Sequence, residues 1–263
     1  MYEFEYQKPG SVADAVKALG DPDAKALAGG MTFIPVLKQR LAKPSAVVDL
    51  AGLGLTGIRR EGDAIVIGAM TTHREVANSA EVARAIPALV YLASHIGDRQ
   101  VRYRGTIGGS LANNDPSACY PAAVLALGAT IKTTKRSIKA ADYFQGMFTT
   151  ALEPDELITE VSFPIPEKAA YEKFPNPASR YAMVGVFVAR TAQGVRVAVT
   201  GAGTDGVFRH TAMEAALGKS FSADAIKDVT TPESTMSSDI HASAAYRAHL
   251  VGVMARRAVA ACG

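Results

Sequence analysis

The sequence has no tryptophan, only two cysteines and five histidines, and no surplus of charge beyond a formal +3. Each shortage excludes something. Cys119 and Cys262 cannot hold an iron–sulfur cluster, which takes four thiolates, and they make neither a zinc site nor a disulfide framework, so a reducing compartment is expected. With 28 basic against 25 acidic residues, nothing argues for nucleic acid as a partner. No apolar run reaches the roughly 18 residues of a membrane span. The opening MYEFEYQKPG has no basic segment leading into an apolar one, so no signal peptide is expected and the chain reads as cytoplasmic. No Ser/His/Asp set presents a nucleophile beside a base.

What the sequence does have is two paired-glycine motifs. One is Thr106-Ile107-Gly108-Gly109-Ser110, within VRYRGTIGGSLANND (101–115). The other is Ala28-Gly29-Gly30-Met31-Thr32, which follows a short apolar run. Bare glycine backbone lets an anion approach N–H groups closely. One such turn more often closes a hairpin or caps a helix. Two, each edged by a hydroxyl residue, point to a ligand with two phosphates held between two chain segments. The basic run Arg99–Arg104 (RQVRYR) has two readings, a solvated loop or an aid in neutralising that diphosphate.

The order of elements supports a mixed fold. Strands at Tyr2–Gln7, Ala24–Ala28 and Ala46–Leu50 alternate with helices capped by Ser11 and opening at Phe33 near Pro35, a β-α-β-α-β unit of about fifty residues. A hairpin follows, Gly57–Arg60 with Ala64–Ala69, then a short helix from Thr71–Glu75. Glu81–Ile96 is a longer helical pattern that Pro87 breaks. Past the second glycine motif come a helix at Pro121–Leu127 and strands at Ala129–Thr133 and Leu157–Phe163. Pro164-x-Pro166 reads as a linker, with a boundary at about 166–171. The remainder, with strands at Tyr181–Thr191 and Val195–Thr200 and helices at Thr211–Leu217, Ser222–Ile226 and Ala242–Ala261, reads as an α+β unit. Gly201-Ala202-Gly203-Thr204-Asp205-Gly206 matches G-x-G-x-x-G. No helix is expected to begin inside it and no β-branched strand follows, so a dinucleotide-binding Rossmann unit is not expected there.

Taken together, AGGMTFIPVLKQRLAKP (28–44), VDL (48–50), IGAMTTH (67–73), VRYRGTIGGSLANNDP (101–116), EPDELI (153–158), YEKFPNPASRYAMVGV (171–186) and GVMARRAV (252–259) resemble the FAD-binding medium subunits of the molybdenum hydroxylases. The resemblance covers nearly the whole chain. It implies an α+β fold of two N-terminal FAD-clasping subdomains, 1–54 and 55–168, and a C-terminal domain, 169–263, with an antiparallel sheet and helices. It implies that Ala28, Gly29, Gly30, Met31 and Thr32 hold the pyrophosphate, with Phe33 continuing the same turn. Thr106, Ile107, Gly108, Gly109 and Ser110 would form a second contacting loop. Ile96 and Gly97 match a position near the adenine, Ile158 an apolar contact, Lys173 a lysine near the flavin and Tyr181 an aromatic packed on the isoalloxazine. Where the family often has an aspartate to accept from the ribityl chain, this sequence has Cys119. A thiol is a poor acceptor, so that contact is lost or falls to Asp115.

The resemblance further implies a small subunit with two [2Fe–2S] clusters and a large subunit with the molybdenum cofactor, assembled as a dimer of heterotrimers. FAD would pass electrons from the clusters to an external acceptor. Two other readings stay open at this point: a self-sufficient flavin oxidase or reductase on the same fold, and a flavin-free assembly or scaffold protein. His73 reads as a helix-start residue without chemistry.

Overall fold

The architecture is that of a computed structural model describing residues 1–263. It builds outward from three sheets. The first is parallel, in the order β1-β3-β2: β1 (Glu5–Gln7), α1 (Val12–Ala18), β2 (Lys25–Leu27), α2 (Phe33–Lys38) and β3 (Ala46–Asp49) alternate along the chain. Parallel pairing needs crossovers, and the two short helices supply them. Ser11 caps α1 by accepting from the Asp14 N–H at 3.1 Å. Ala15 of that helix is buried together with Val48 and Leu50.

The second sheet is antiparallel and begins with the expected hairpin, β4 (Ile58–Glu61) and β5 (Ala64–Gly68). Helices follow: α3 (His73–Ala77), α4 (Ala80–Ala85), α5 (Pro87–Ser94), α6 (Arg99–Arg104), α7 (Ile107–Asn113) and α8 (Tyr120–Leu127). Then come β6 (Thr130–Thr133), β7 (Ser137–Lys139), α9 (Ala140–Tyr143), the small ribbon of β8 (Phe144–Gly146) and β9 (Thr149–Thr150), and β10 (Ile158–Pro164). The order β4-β5-β10-β6-β7 places β10 centrally. Pro87 divides the long helical pattern as expected, because its ring fits the first turn of a new helix.

Two local expectations change here. The basic run RQVRYR is a helix, α6, because Asp98 accepts from the Val101 N–H at 2.8 Å and caps it. The second glycine motif is the first turn of α7 rather than a loop. Thr106 is extended (φ −112°, ψ 155°) and its hydroxyl accepts from the Gly109 N–H.

The third sheet is β11 (Lys168–Pro175), β12 (Ala182–Thr191), β13 (Gly194–Thr200) and β14 (Phe208–Arg209), antiparallel in that order, followed by α10 (Thr211–Lys219) and α11 (Ala244–Ala261). The sequence reading set a boundary at about 166–171, across the first half of β11, and assigned no strand there. KAAYEKFP alternates weakly and holds three charges and a proline, and its strand character comes from pairing along β12. Along β12, Val184, Val186 and Val188 point into the core under α10 and α11, while Phe187 and Ala189 point into the core around α8. Every residue of α8 is buried. A helix apolar on all sides lies inside a molecule, and α8 packs on β10 of the second sheet and on β12 and β13 of the third. The G-x-G-x-x-G stretch opens no helix; it is the loop between β13 and β14.

Candidate functional site

A cleft of about 770 Å³ lies among the three sheets and their helices. Of the residues singled out in the sequence, Ala28, Gly29, Gly30, Met31, Thr32 and Phe33 line it from the β2–α2 connection. Thr106, Gly108, Gly109 and Ser110 line it from α7, Ile96 and Gly97 from the α5–α6 corner, and Asp115, Ile158, Lys173 and Tyr181 from further on. Ile107 alone does not line it. Its side chain is fully buried in the core around α8, as helical geometry requires of the residue one step around from Gly108.

Contact between the two glycine motifs is direct. A Cβ at Gly29 would stand 1.9 Å from the Arg104 carbonyl oxygen and 3.0 Å from Gly105 Cα, so only glycine lets these segments meet. A Cβ at Gly109 would stand 3.5 Å from Ala28 Cβ. One at Gly108 would instead run into the Ala69 backbone at 2.7 Å. Gly108 therefore seats the helix on the end of β5, and Gly109 keeps the gap to the first motif clear.

The two motifs differ in what their backbone offers. None of the N–H groups from Ala28 through Phe33 donates within the protein, whether to backbone or to side chain. Polar backbone left free along a cleft is a set of donors waiting for an acceptor. In the second motif four of the five donors, all but that of Thr106, are committed. Ile107 N–H goes to the Thr71 carbonyl (3.0 Å), Gly108 N–H to Ala69 (2.8 Å), Ser110 N–H to Thr106 (3.0 Å) and Gly109 N–H to the Thr106 hydroxyl (3.1 Å). The expectation of two equivalent exposed-backbone turns thus gives way to one donor row and one closely apposed helix start. Extended FAD carries a diphosphate and fits this arrangement: open donors on one side and an uncrowded glycine facing them.

The remaining wall comes from the third sheet and its loops. Lys173 on β11 donates from its ammonium to the His95 and Arg180 carbonyls and lies 3.7 Å from Cys119 Sγ. It fastens the end of α5 to the loop that carries Tyr181. Asp115 Oδ1 accepts from the Ser117 N–H at 2.8 Å, which leaves its second oxygen free. Partial burial and the Asp115 charge both push the Tyr181 phenol upward, so it stays a hydrogen-bond donor. Cys119 is buried and free. Thr200 closes the corner by donating to the Pro116 and Ala118 carbonyls.

Below the cleft, Glu156 shows none of its side chain to solvent. Burial alone would raise its pKa. Hydrogen bonds from Arg136, Thr133 and the Glu153 N–H outweigh it and hold the carboxyl at about 2. Reading the sequence alone missed Asn113, Ser117, Arg180 and His73, all of which line the cleft. Asn113 follows Ser110 by three residues, a spacing that shares a helix face, so it becomes visible once α7 is known to be a helix. His73 and Arg180 fall in the resembling stretches IGAMTTH and YEKFPNPASRYAMVGV, His73 read there as a helix-start residue without chemistry, and nothing in the sequence marks Ser117.

Comparison with known proteins places the chain among relatives of the same fold. The family described as "FAD binding domain in molybdopterin dehydrogenase" matches residues 2–166, and "CO dehydrogenase flavoprotein C-terminal domain" matches 169–262. The carbon monoxide dehydrogenase medium chain of Afipia carboxidovorans is 38% identical, over 97% of this chain and 95% of that one. The nicotine 6-hydroxylase medium subunit of Paenarthrobacter nicotinovorans is 36% identical, over 99% and 97%. Among solved structures, quinoline 2-oxidoreductase from Pseudomonas putida 86 superposes with a TM-score of 0.88 at 30% identity, covering 99% of this chain and 97% of that one.

Proposed function

The chain belongs to the family of FAD-binding medium subunits of molybdenum hydroxylases, oxidoreductases that work as multisubunit complexes, and on that footing we propose how its own residues serve the cofactor and the complex. The row of free N–H groups from Ala28 through Phe33 receives the pyrophosphate of FAD. Thr106, Gly109 and Ser110 close on it from α7, and Gly108 and Ile107 act behind them by fixing that helix. Ile96 and Gly97 border the adenine end. Asp115, Ile158, Lys173 and Tyr181 border the ring and ribityl end, with Asp115 supplying the acceptor that Cys119 cannot. FAD, when bound, supplies a carrier that accepts and releases electrons one or two at a time.

The protein's part is to bind and orient that carrier, and no acid–base residue is required of it. Its partners are an iron–sulfur subunit with two [2Fe–2S] clusters and a molybdenum-cofactor subunit, in a dimer of heterotrimers. Electrons enter from the clusters and leave to an external acceptor. The functional units are 1–54, 55–168 and 169–263. No helix is long and apolar enough to cross a membrane, and both thiols are free, which supports a cytoplasmic location.

The observation that carries this reading is the donor row facing Gly109 in one cleft. Its test is the visible spectrum of the purified chain with added FAD, before and after Gly109→Asp. The carboxylate would stand in the gap to Ala28 and repel phosphate, so flavin retention should fall at least tenfold while the far-UV circular dichroism is unchanged. A variant that folds and holds FAD like the wild type would sink the placement.

A further inference from the structure

His73 begins α3 and is buried, with 5% of its surface exposed. Its backbone N–H donates to the Gly105 carbonyl at 2.9 Å, which fixes it beside the turn before α7. Its ring lies 5.3 Å from that of Tyr120, tilted by 50°. The two ring nitrogens have different surroundings. Nδ1 is sealed from solvent and has no hydrogen-bond partner. Nε2 lies along Gly105, where a Cβ would come within 2.6 Å of it. It too makes no hydrogen bond in the protein, but unlike Nδ1 it is not sealed, and both His73 and Gly105 line the cleft.

This asymmetry determines where the proton sits. A neutral imidazole has one N–H donor and one bare acceptor nitrogen. Burying a donor without an acceptor forfeits a full hydrogen bond, so the proton belongs on the nitrogen that can reach a partner. We propose that His73 carries its proton on Nε2 and donates it, as an uncharged group, to an acceptor oxygen of FAD in the cleft. Burial, seconded by the nearby Arg102 charge, holds the ring neutral down to a pKa of about 4. The donor is therefore available across the physiological range without adding a cation. Gly105 is glycine because a side chain there would occupy the space at Nε2. The proposal rests on the cleft being the FAD site, and it adds to the backbone donors a side-chain donor with no catalytic part.

The test is a nitrogen-15 spectrum of the full chain with labelled histidine, the His73 signals being identified by their loss in His73→Gln. At pH 7 without FAD, the expected pattern is a neutral ring with protonated Nε2 and bare Nδ1. Adding FAD should shift the Nε2–H resonance. In parallel, FAD titrations should show His73→Leu binding about tenfold more weakly, the size of one lost hydrogen bond. His73→Gln, whose amide can place a donor near the same point, should recover most of the loss. A proton on Nδ1, an Nε2 resonance unmoved in a chain that demonstrably binds FAD, or full affinity in a folded His73→Leu would each overturn the proposal. Should His73→Leu fail to fold, the wild-type spectra decide alone. A chain that takes up no FAD fails the reading of the cleft itself, and the proposal with it.

Discussion

Glu156 is the residue on which the floor of the cleft depends. It accepts from Arg136, Thr133 and the Glu153 N–H, and Leu157 and Ile158 follow it directly into the cleft wall. Its folded pKa of about 2 lies below the ordinary value of 4.5. A depressed carboxylate adds stability that is present above the unfolded pKa and disappears as the pH falls from there through the folded one. Glu156→Gln should therefore cost about 2 kcal/mol at neutral pH, the scale of hydrogen bonds to a charged group. That penalty should shrink between about pH 5 and pH 2. Thermal melts of both proteins across that range check it; a penalty independent of pH would show that the charge is not what matters. The sequence offered EPDELI only as part of a resemblance. Its glutamate becomes a structural anchor when β6 and the Arg136 turn are folded against it, and no local pattern announces that.

At the level of the element, the two glycine motifs show how far sequence goes. Their pairing was legible, because two such turns, each edged by a hydroxyl residue, point to one ligand held between them where a single turn would not. Their difference was not, because whether an N–H is free depends on which carbonyl the fold brings to it. The carbonyls of Thr71 and Ala69 come from the segment just after β5, some forty residues earlier in the chain. The missed strand β11 has the same origin, since its pairing partner lies across a loop. These distinctions can be measured. Gly108→Ala would press on the Ala69 backbone and should cost 1–3 kcal/mol, the scale of overpacking. Gly109→Ala meets only the Thr106 hydroxyl at 2.9 Å and Ala28 Cβ at 3.5 Å and should cost less than 1 kcal/mol. Thr106→Ala removes the cap of α7 and should cost about 1 kcal/mol. Denaturant melts of the three rank them; equal losses at positions 108 and 109 would contradict the roles assigned to the two glycines.

Over the whole molecule, the α+β class and the order of its parts follow from periodicity, capping residues and turn residues, and the resemblance supplied the rest. What no linear reading conveys is the placement of α8. Its apolar sequence marks it as buried without saying between what, and the answer is two sheets at once. The family descriptions meet at residues 166 and 169, yet the hydrophobic interior does not divide there, since Phe187, Ala189 and Ala198 belong to the same cluster as Leu89 and Ile131. A gene cut at that point would yield a first fragment with one flank of α8 stripped and sticky. It should go into aggregates when expressed alone and return to solution when the second fragment is made in the same cell. Sequence families are often swapped as cassettes; here the seam is drawn through the loop and not through the oil, so the two halves have to be inherited, and exchanged between relatives, as a matched pair.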